Sequence, residues 1–114
     1  MQVSQKDTGK KYFNSDFIYD LESYPNVFTM CVVHASGKHM RVFEISDRKN
    51  DIEGIANCLR YMVSNNMRMV GFNNLSFDYT LIHEIILELK RAKKDGNAPV
   101  VTAKKMYSIT KSII

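Results

Sequence analysis

Cysteines, long apolar runs and glycine-rich motifs are scarce in this sequence, and each shortage excludes a class of protein. Two cysteines are too few for a disulfide scaffold, and the absence of a CxxC pair argues against a zinc finger. No apolar run approaches the length of about 20 residues that a membrane span requires. The polar N-terminus has no apolar segment typical of a secretory signal, and no phosphate-binding glycine loop is present. The sequence therefore predicts a cytoplasmic protein with reduced thiols and no membrane segment.

Charge is unevenly distributed along the chain. The hydrophobic share of 45% and the charged share of 25% are typical of a globular domain. Residues 1–89 carry 9 basic and 11 acidic side chains, whereas residues 90–114 carry 7 basic side chains and the single acid Asp95. Two interpretations of the basic segment stay open: the solvated end of a helix, or a surface that attracts a polyanion.

Hydrophobic patterns predict the order β-β-β-α-β-α, followed by an uncertain tail. Residues 1–15 show no periodicity and are expected to form a flexible leader before a single domain at 16–114. Apolar and β-branched runs predict strands at 17–21, 27–33, 39–45 and 68–72. Apolar residues at helical spacing predict one helix after Asn50 and Asp51 and a second through 81–89. The tail at 100–114 contains strand-like pieces.

This order of elements indicates the α/β class. Antiparallel hairpins that lead into a strand–helix–strand crossover favour a mixed sheet with flanking helices. In α/β sheets the carboxyl ends of strands line the functional cleft. Polar residues that follow the predicted strands are therefore the first candidates for chemistry.

Three carboxylates lie where predicted strands end. Asp20 and Glu22 flank Leu21, and the two-residue period of a strand places both acids on one face. A divalent cation, Mg²⁺ or Mn²⁺, would offset their repulsion. Asp78 follows the turn after the fourth strand, in the first turn of the second helix. If the first and fourth strands are neighbours, all three acids converge in the way that two-metal phosphodiester chemistry uses.

Each motif also has an ordinary structural interpretation. Asp20 and Glu22 could flank a turn in water. Asp78 is favoured near a helix N-terminus for capping and for its interaction with the helix dipole.

Two short motifs of the chain resemble a known family. They are Asp20-x-Glu22 and Asn74-x-x-Phe77-Asp78. Together they resemble the first two motifs of the 3′–5′ exonuclease domain that proofreads for DNA polymerases. The strings around them, FIYDLESYPNVF and VGFNNLSFDYTLIHEII, are most similar to phage and family-B-like polymerases. The resemblance implies a ribonuclease-H-like fold, with an antiparallel hairpin region, that acts on the 3′ end of a single-stranded nucleic acid.

The resemblance also implies a role for each matching residue. Asp20 would bind both metal ions, Glu22 the ion that activates the attacking water, and Asp78 the second ion. Contacts with the terminal nucleotide are implied for the residues around these acids: Leu21, Tyr24, Asn73, Asn74 and Phe77.

The third motif of the family, Tyr-x-x-x-Asp or His-x-x-x-x-Asp, has no match in this chain. The nearest string, Tyr107-Ser-Ile-Thr-Lys111, ends in lysine, and Asp95 is the one carboxylate downstream of Glu88. We therefore expect a truncated exonuclease domain, whose third acid could come from the remainder of a polymerase on another chain. The alternatives are a catalytically incomplete module that binds nucleic acid or a protein partner, and a small regulator that shares the topology by chance. An exposed sheet edge would also permit a homo-oligomer.

Overall fold

Two antiparallel hairpins and one parallel crossover build the sheet. The computed structural model describes residues 16–71 and 76–113, and the predicted leader at 1–15 lies outside them. The elements in chain order are β1 Asp16–Tyr24, β2 Val27–His34, β3 Arg41–Ser46, α1 Ile52–Ser64, β4 Arg68–Gly71, α2 Ser76–Asp95 and α3 Ala103–Ile113. Each strand predicted from the sequence is present, as are both predicted helices.

The strand order is β3-β2-β1-β4. β2 pairs antiparallel with both β1 and β3, whereas β4 pairs parallel with β1. A parallel pair requires a crossover, and α1 provides it between β3 and β4. The sheet is therefore mixed, and the predicted α/β class is confirmed. β1 and β4 are neighbours, which was the condition for the three acids to converge.

The two faces of the sheet differ in what covers them. On β1 the odd-numbered residues Phe17, Tyr19 and Leu21 are buried, because they pack in one core with α1, α2 and α3. Strand periodicity places Ile18, Asp20 and Glu22 on the opposite face, where the residues are half-buried or exposed. One face of the sheet therefore carries the hydrophobic core, and the other carries the acids of the first motif.

Asn50 and Asp51, at the start of α1, form hydrogen bonds with different parts of the chain. The side-chain oxygen of Asn50 accepts a hydrogen bond from the Ile52 amide at 3.0 Å. The Asp51 carboxylate instead accepts one from the Glu44 amide at 2.9 Å, which ties the helix start to β3. The apolar residues whose spacing predicts α1 are buried except at Val63, which is 78% exposed; the buried ones are Ile52, Ile55, Ala56, Leu59 and Met62.

The tail forms a helix, so its strand-like interpretation was wrong. The Thr102 hydroxyl accepts a hydrogen bond from the Lys105 amide at 3.1 Å, as an N-cap does. Ala103 and Met106 lie three residues apart and are both buried against the sheet. The β-branched residues of this segment favour a strand locally, but burial of one helical face outweighs that preference.

Helix α2 runs for 20 residues and is fixed near its C-terminal end. The Glu88 carboxylate accepts hydrogen bonds from Arg91 at 2.9 and 2.6 Å and from the Val100 amide at 2.8 Å. These bonds attach the connection before α3 to the helix.

In the described ranges, 16–71 and 76–113, no helix combines the length and the apolar character that crossing a bilayer demands.

Candidate metal centre

Asp20 and Glu22 lie side by side on the face of β1 that the helices leave uncovered. Their partners across the ladder are Cys31 and Thr29 of β2. Asp20 is half-buried and Glu22 is exposed. Asp20 is therefore partly covered, whereas Glu22 is presented to solvent, within reach of a ligand.

Asp78 is the one buried charged side chain in the described part of the chain. It lies in the first turn of α2, as predicted, and is 2% exposed. Its Oδ1 atom is buried and has no hydrogen-bond partner among the described residues. Burial without a partner disfavours the carboxylate form, so a group that pairs with this oxygen would stabilise the ionised side chain.

Asp78 lies within electrostatic reach of Asp20. Burial raises the pKa of the Asp78 carboxyl above its ordinary value, and the negative charge of Asp20 raises it further. The topology explains this proximity. β4 ends at Gly71, opposite Tyr19, so from Asp20 onward no described strand flanks that side of β1. The start of α2 can therefore approach Asp20 from beside the strand.

Tyr19 is a neighbour of this site that the sequence motifs do not identify. Burial raises the pKa of its hydroxyl, with a further contribution from the charge of Asp78. A Cβ atom at Gly71 would lie 3.3 Å from this hydroxyl oxygen, so the ring passes close to the end of β4. A glycine at the end of a strand is the one sequence signal for such a close approach.

The predicted nucleotide-binding residues fall into three groups. Tyr24 is 52% exposed and shares the strand face of Asp20 and Glu22. Leu21 is 4% exposed and belongs to the core, so its side chain lies on the opposite face from the acids. The predictions for Asn73, Asn74 and the Phe77 side chain lie outside the described residues; the Phe77 backbone belongs to the first turn of α2.

One further aromatic surface lies next to Asp78. Tyr79 is 71% exposed, and its ring stacks on that of His83 with 6.2 Å between centroids. No motif in the sequence drew attention to Tyr79. Exposed aromatic rings are the side chains on which unpaired bases stack.

The C-terminal residues considered for the third motif have other contacts. The Lys111 ammonium lies 5.7 Å from the centre of the Tyr107 ring, and Asp95 pairs with Arg91 at 2.9 Å. Within 16–71 and 76–113, no group of three or more His, Cys, Asp or Glu side chains is arranged to hold a metal ion. The donor chemistry nevertheless fits a hard divalent cation, because Asp20 and Asp78 supply repelling carboxylates and one buried oxygen without a partner.

No protein-family model, curated protein or solved structure matches this chain.

Proposed function

We propose that this chain is part of a 3′–5′ exonuclease-type domain of a DNA polymerase, which removes the 3′-terminal nucleotide of a single strand with the help of Mg²⁺ or Mn²⁺. The observation that carries the proposal is the buried Asp78 carboxylate, whose Oδ1 has no hydrogen-bond partner among the described residues and whose pKa is raised by burial and by the charge of Asp20. Repulsion between two carboxylates does not stabilise a fold, and ionisable groups with shifted pKa values cluster at functional sites.

Asp20, Glu22 and Asp78 are the residues that would hold the cations. The cations would activate a water molecule for attack on the phosphodiester and stabilise the leaving 3′-oxygen. A bound cation would favour the ionised form of Asp78, since a nearby positive charge lowers a carboxyl pKa. Exposed Glu22 lies two residues further along the same strand face and remains accessible to water.

The arrangement of the strands supports the same proposal. The order is β3-β2-β1-β4 with β4 parallel to β1, which is compatible with the mixed sheet and antiparallel hairpin region that the resemblance implies. Tyr24 and Tyr79 are exposed aromatic residues near the acids, suited to stack on the bases of a single strand. The lysines that follow residue 89 would attract the phosphate backbone.

The first experiment measures cation binding and strand shortening together. Mn²⁺ binding is followed by electron paramagnetic resonance, and shortening of a 5′-labelled single-stranded DNA is followed on a gel. We expect Asp20→Asn and Asp78→Asn each to weaken Mn²⁺ binding at least about ten-fold and to abolish shortening, because each removes a hard oxygen ligand. Asp47→Asn is the matched control, since Asp47 is an exposed acid in the turn after β3.

Normal Mn²⁺ binding and shortening in both variants would remove the proposal. If the native chain binds single-stranded DNA but does not shorten it, the second candidate is favoured. That candidate is an exonuclease-like module that lacks full catalysis. Lys111 favours that candidate, because the string nearest to the third motif ends in this lysine instead of an acid. Such a module would bind DNA in a salt-sensitive manner without needing Mg²⁺ or Mn²⁺. Addition of the remaining polymerase chain, if it supplies the third acid, would restore shortening.

A further inference from the structure

A groove between α1 and α2 lies apart from the three acids, and its lining includes Lys90 and Lys93 of the basic segment. It encloses about 600 Å³ and runs along the length of α1, with β4 at its base. Its apolar lining includes Leu59, Met62, Met67, Met69, Ile86 and Leu89. We refer to it below as the α1–α2 groove.

The apolar lining is only partly covered by the described chain. Met67, Met69, Ile86 and Leu89 are partly buried side chains at the margin of the core. Val63 at the rim is 78% exposed. Methionine side chains adapt to varied partners, and they are common on surfaces that receive a helix. The groove therefore offers apolar surface that a partner could cover.

The rim of the groove is basic. Arg60, Lys90 and Lys93 line it, with Glu53 as the one acid of its described lining. Neither Lys90 nor Lys93 forms an ion pair with a described residue. A partner that buries apolar side chains here would gain from acidic groups on its flanks, since opposite charges across an interface steer association and select the partner.

The dimensions of the groove suit a helix. Residues from Glu53 to Ser64 of α1 line it, which corresponds to a length of roughly 16 Å, or three helical turns. We propose that the α1–α2 groove binds an acidic amphipathic α-helix of a partner polypeptide. The apolar stripe of that helix would pack against the methionines of the groove. Its Asp and Glu side chains would lie near Arg60, Lys90 and Lys93. A second copy of this chain is a poor match, because the apolar stripes of its described helices are already buried in the core.

The methionine methyl groups report directly on this proposal. The full chain is labelled with ¹³C at its methionine methyls and titrated with a 14-residue peptide that has leucines at helical spacing and glutamates elsewhere. We expect the signals of Met62, Met67 and Met69 to shift, and those of the core residues Met30 and Met106 to stay unchanged. Two further peptides serve as comparisons: a proline-containing scramble of the same composition, and a version with lysines in place of the glutamates.

Charge reversal tests the basic rim. The double variant Lys90→Glu/Lys93→Glu should weaken binding of the acidic peptide about ten-fold and improve binding of the lysine peptide. Lys38→Glu/Lys104→Glu changes the charge equally at exposed positions outside the groove, and it should alter the affinity less than about two-fold.

Four results would overturn the proposal. The first is the absence of methyl shifts with the acidic peptide, and the second is equal binding of the proline scramble. The third is equal weakening by the two double variants. The fourth is a change in the Met67 and Met69 signals with protein concentration alone, which would identify a second copy as the occupant. None of these outcomes bears on Mn²⁺ binding, so the proposal stands or falls separately from the proposed function.

Discussion

Two of the carboxylates on helix α2, Asp78 and Glu88, lie ten residues apart in opposite electrostatic situations. Near its start, Asp78 is buried without a hydrogen-bond partner for Oδ1 among the described residues, and its pKa is raised by burial and by Asp20. In its C-terminal half, Glu88 accepts hydrogen bonds from Arg91 and the Val100 amide, and these lower its pKa to about 2. One end of the helix is therefore electrostatically satisfied and the other is not.

The difference between Asp78 and Glu88 indicates which of the two carboxylates contributes to the stability of the fold. A first-turn position should favour an ionised Asp78, because the helix dipole attracts negative charge there. The pKa is raised nevertheless, so burial and the Asp20 charge outweigh the dipole. Glu88 bonds to the connection between two helices, whereas burial and the charge of Asp20 disfavour the ionised form of Asp78. A residue that destabilises its own fold is a stronger candidate for ligand binding than one that stabilises it.

The largest effect on stability should come from Asp78→Asn. The neutral amide removes the buried charge and its repulsion with Asp20, so we expect the free energy of unfolding to rise by about 1 kcal/mol at pH 7 without metal. A raised folded pKa means that the penalty is absent below pH 3.8, the ordinary value, and develops as pH rises through the folded pKa. Urea denaturation at several pH values measures the difference between variant and native chain.

Glu22→Gln is the matched control, because Glu22 is an exposed acid near the same site. It should leave the free energy of unfolding within about 0.5 kcal/mol of the native value. A fall in stability of Asp78→Asn at neutral pH would mean that the Asp78 carboxylate is satisfied in the folded chain, and the contrast with Glu88 would disappear.

The sequence predicted the strand and the helix that carry the acids, β1 and α2. Their type followed from the local spacing of apolar residues. Alternating apolar residues indicated β1, and residues 81–89 indicated α2, because the same periodicity governs burial in the folded chain. The tail was misjudged since its β-branched residues resemble a strand. Ala103 and Met106 can be recognised as one buried helical face only when the sheet against which they pack is known.

The site was predictable only in part. The two-residue spacing sufficed to place Asp20 and Glu22 on one strand face, and turn chemistry sufficed to place Asp78 in the first turn of a helix. The burial of Asp78 accompanies a register in which β4 ends opposite Tyr19, and that register joins distant segments. Local patterns carry no information on that register, so the electrostatic state of Asp78 required the fold.

A smaller effect of the opposite sign is expected for Glu88→Gln. Loss of the charged acceptor weakens the bonds to Arg91 and the Val100 amide, so the Tm at pH 7 should fall by about 2 °C. A lowered folded pKa means that the contribution of Glu88 is present above pH 4.5, the ordinary value, and is lost as pH falls through about 2. Calorimetry should therefore find the Tm difference shrinking in acid. Glu84→Gln, one turn earlier and without an ion pair among the described residues, should change the Tm less; an equal change would show that the two bonds contribute nothing.

The smallest change in stability, and the most specific test of the site, is expected for Asp20→Asn. Asp20 is the second cause of the raised Asp78 pKa, after burial. The variant should therefore lower the Asp78 pKa part of the way to its ordinary value, and stabilise the fold by a few tenths of a kcal/mol at neutral pH. A carboxyl ¹³C titration of Asp78 measures this pKa directly in both proteins. An unchanged pKa would mean that the two acids do not interact, and without that interaction the case for a shared cation is lost. A fall in the pKa would show that the first strand motif and the helix motif meet in one electrostatic site.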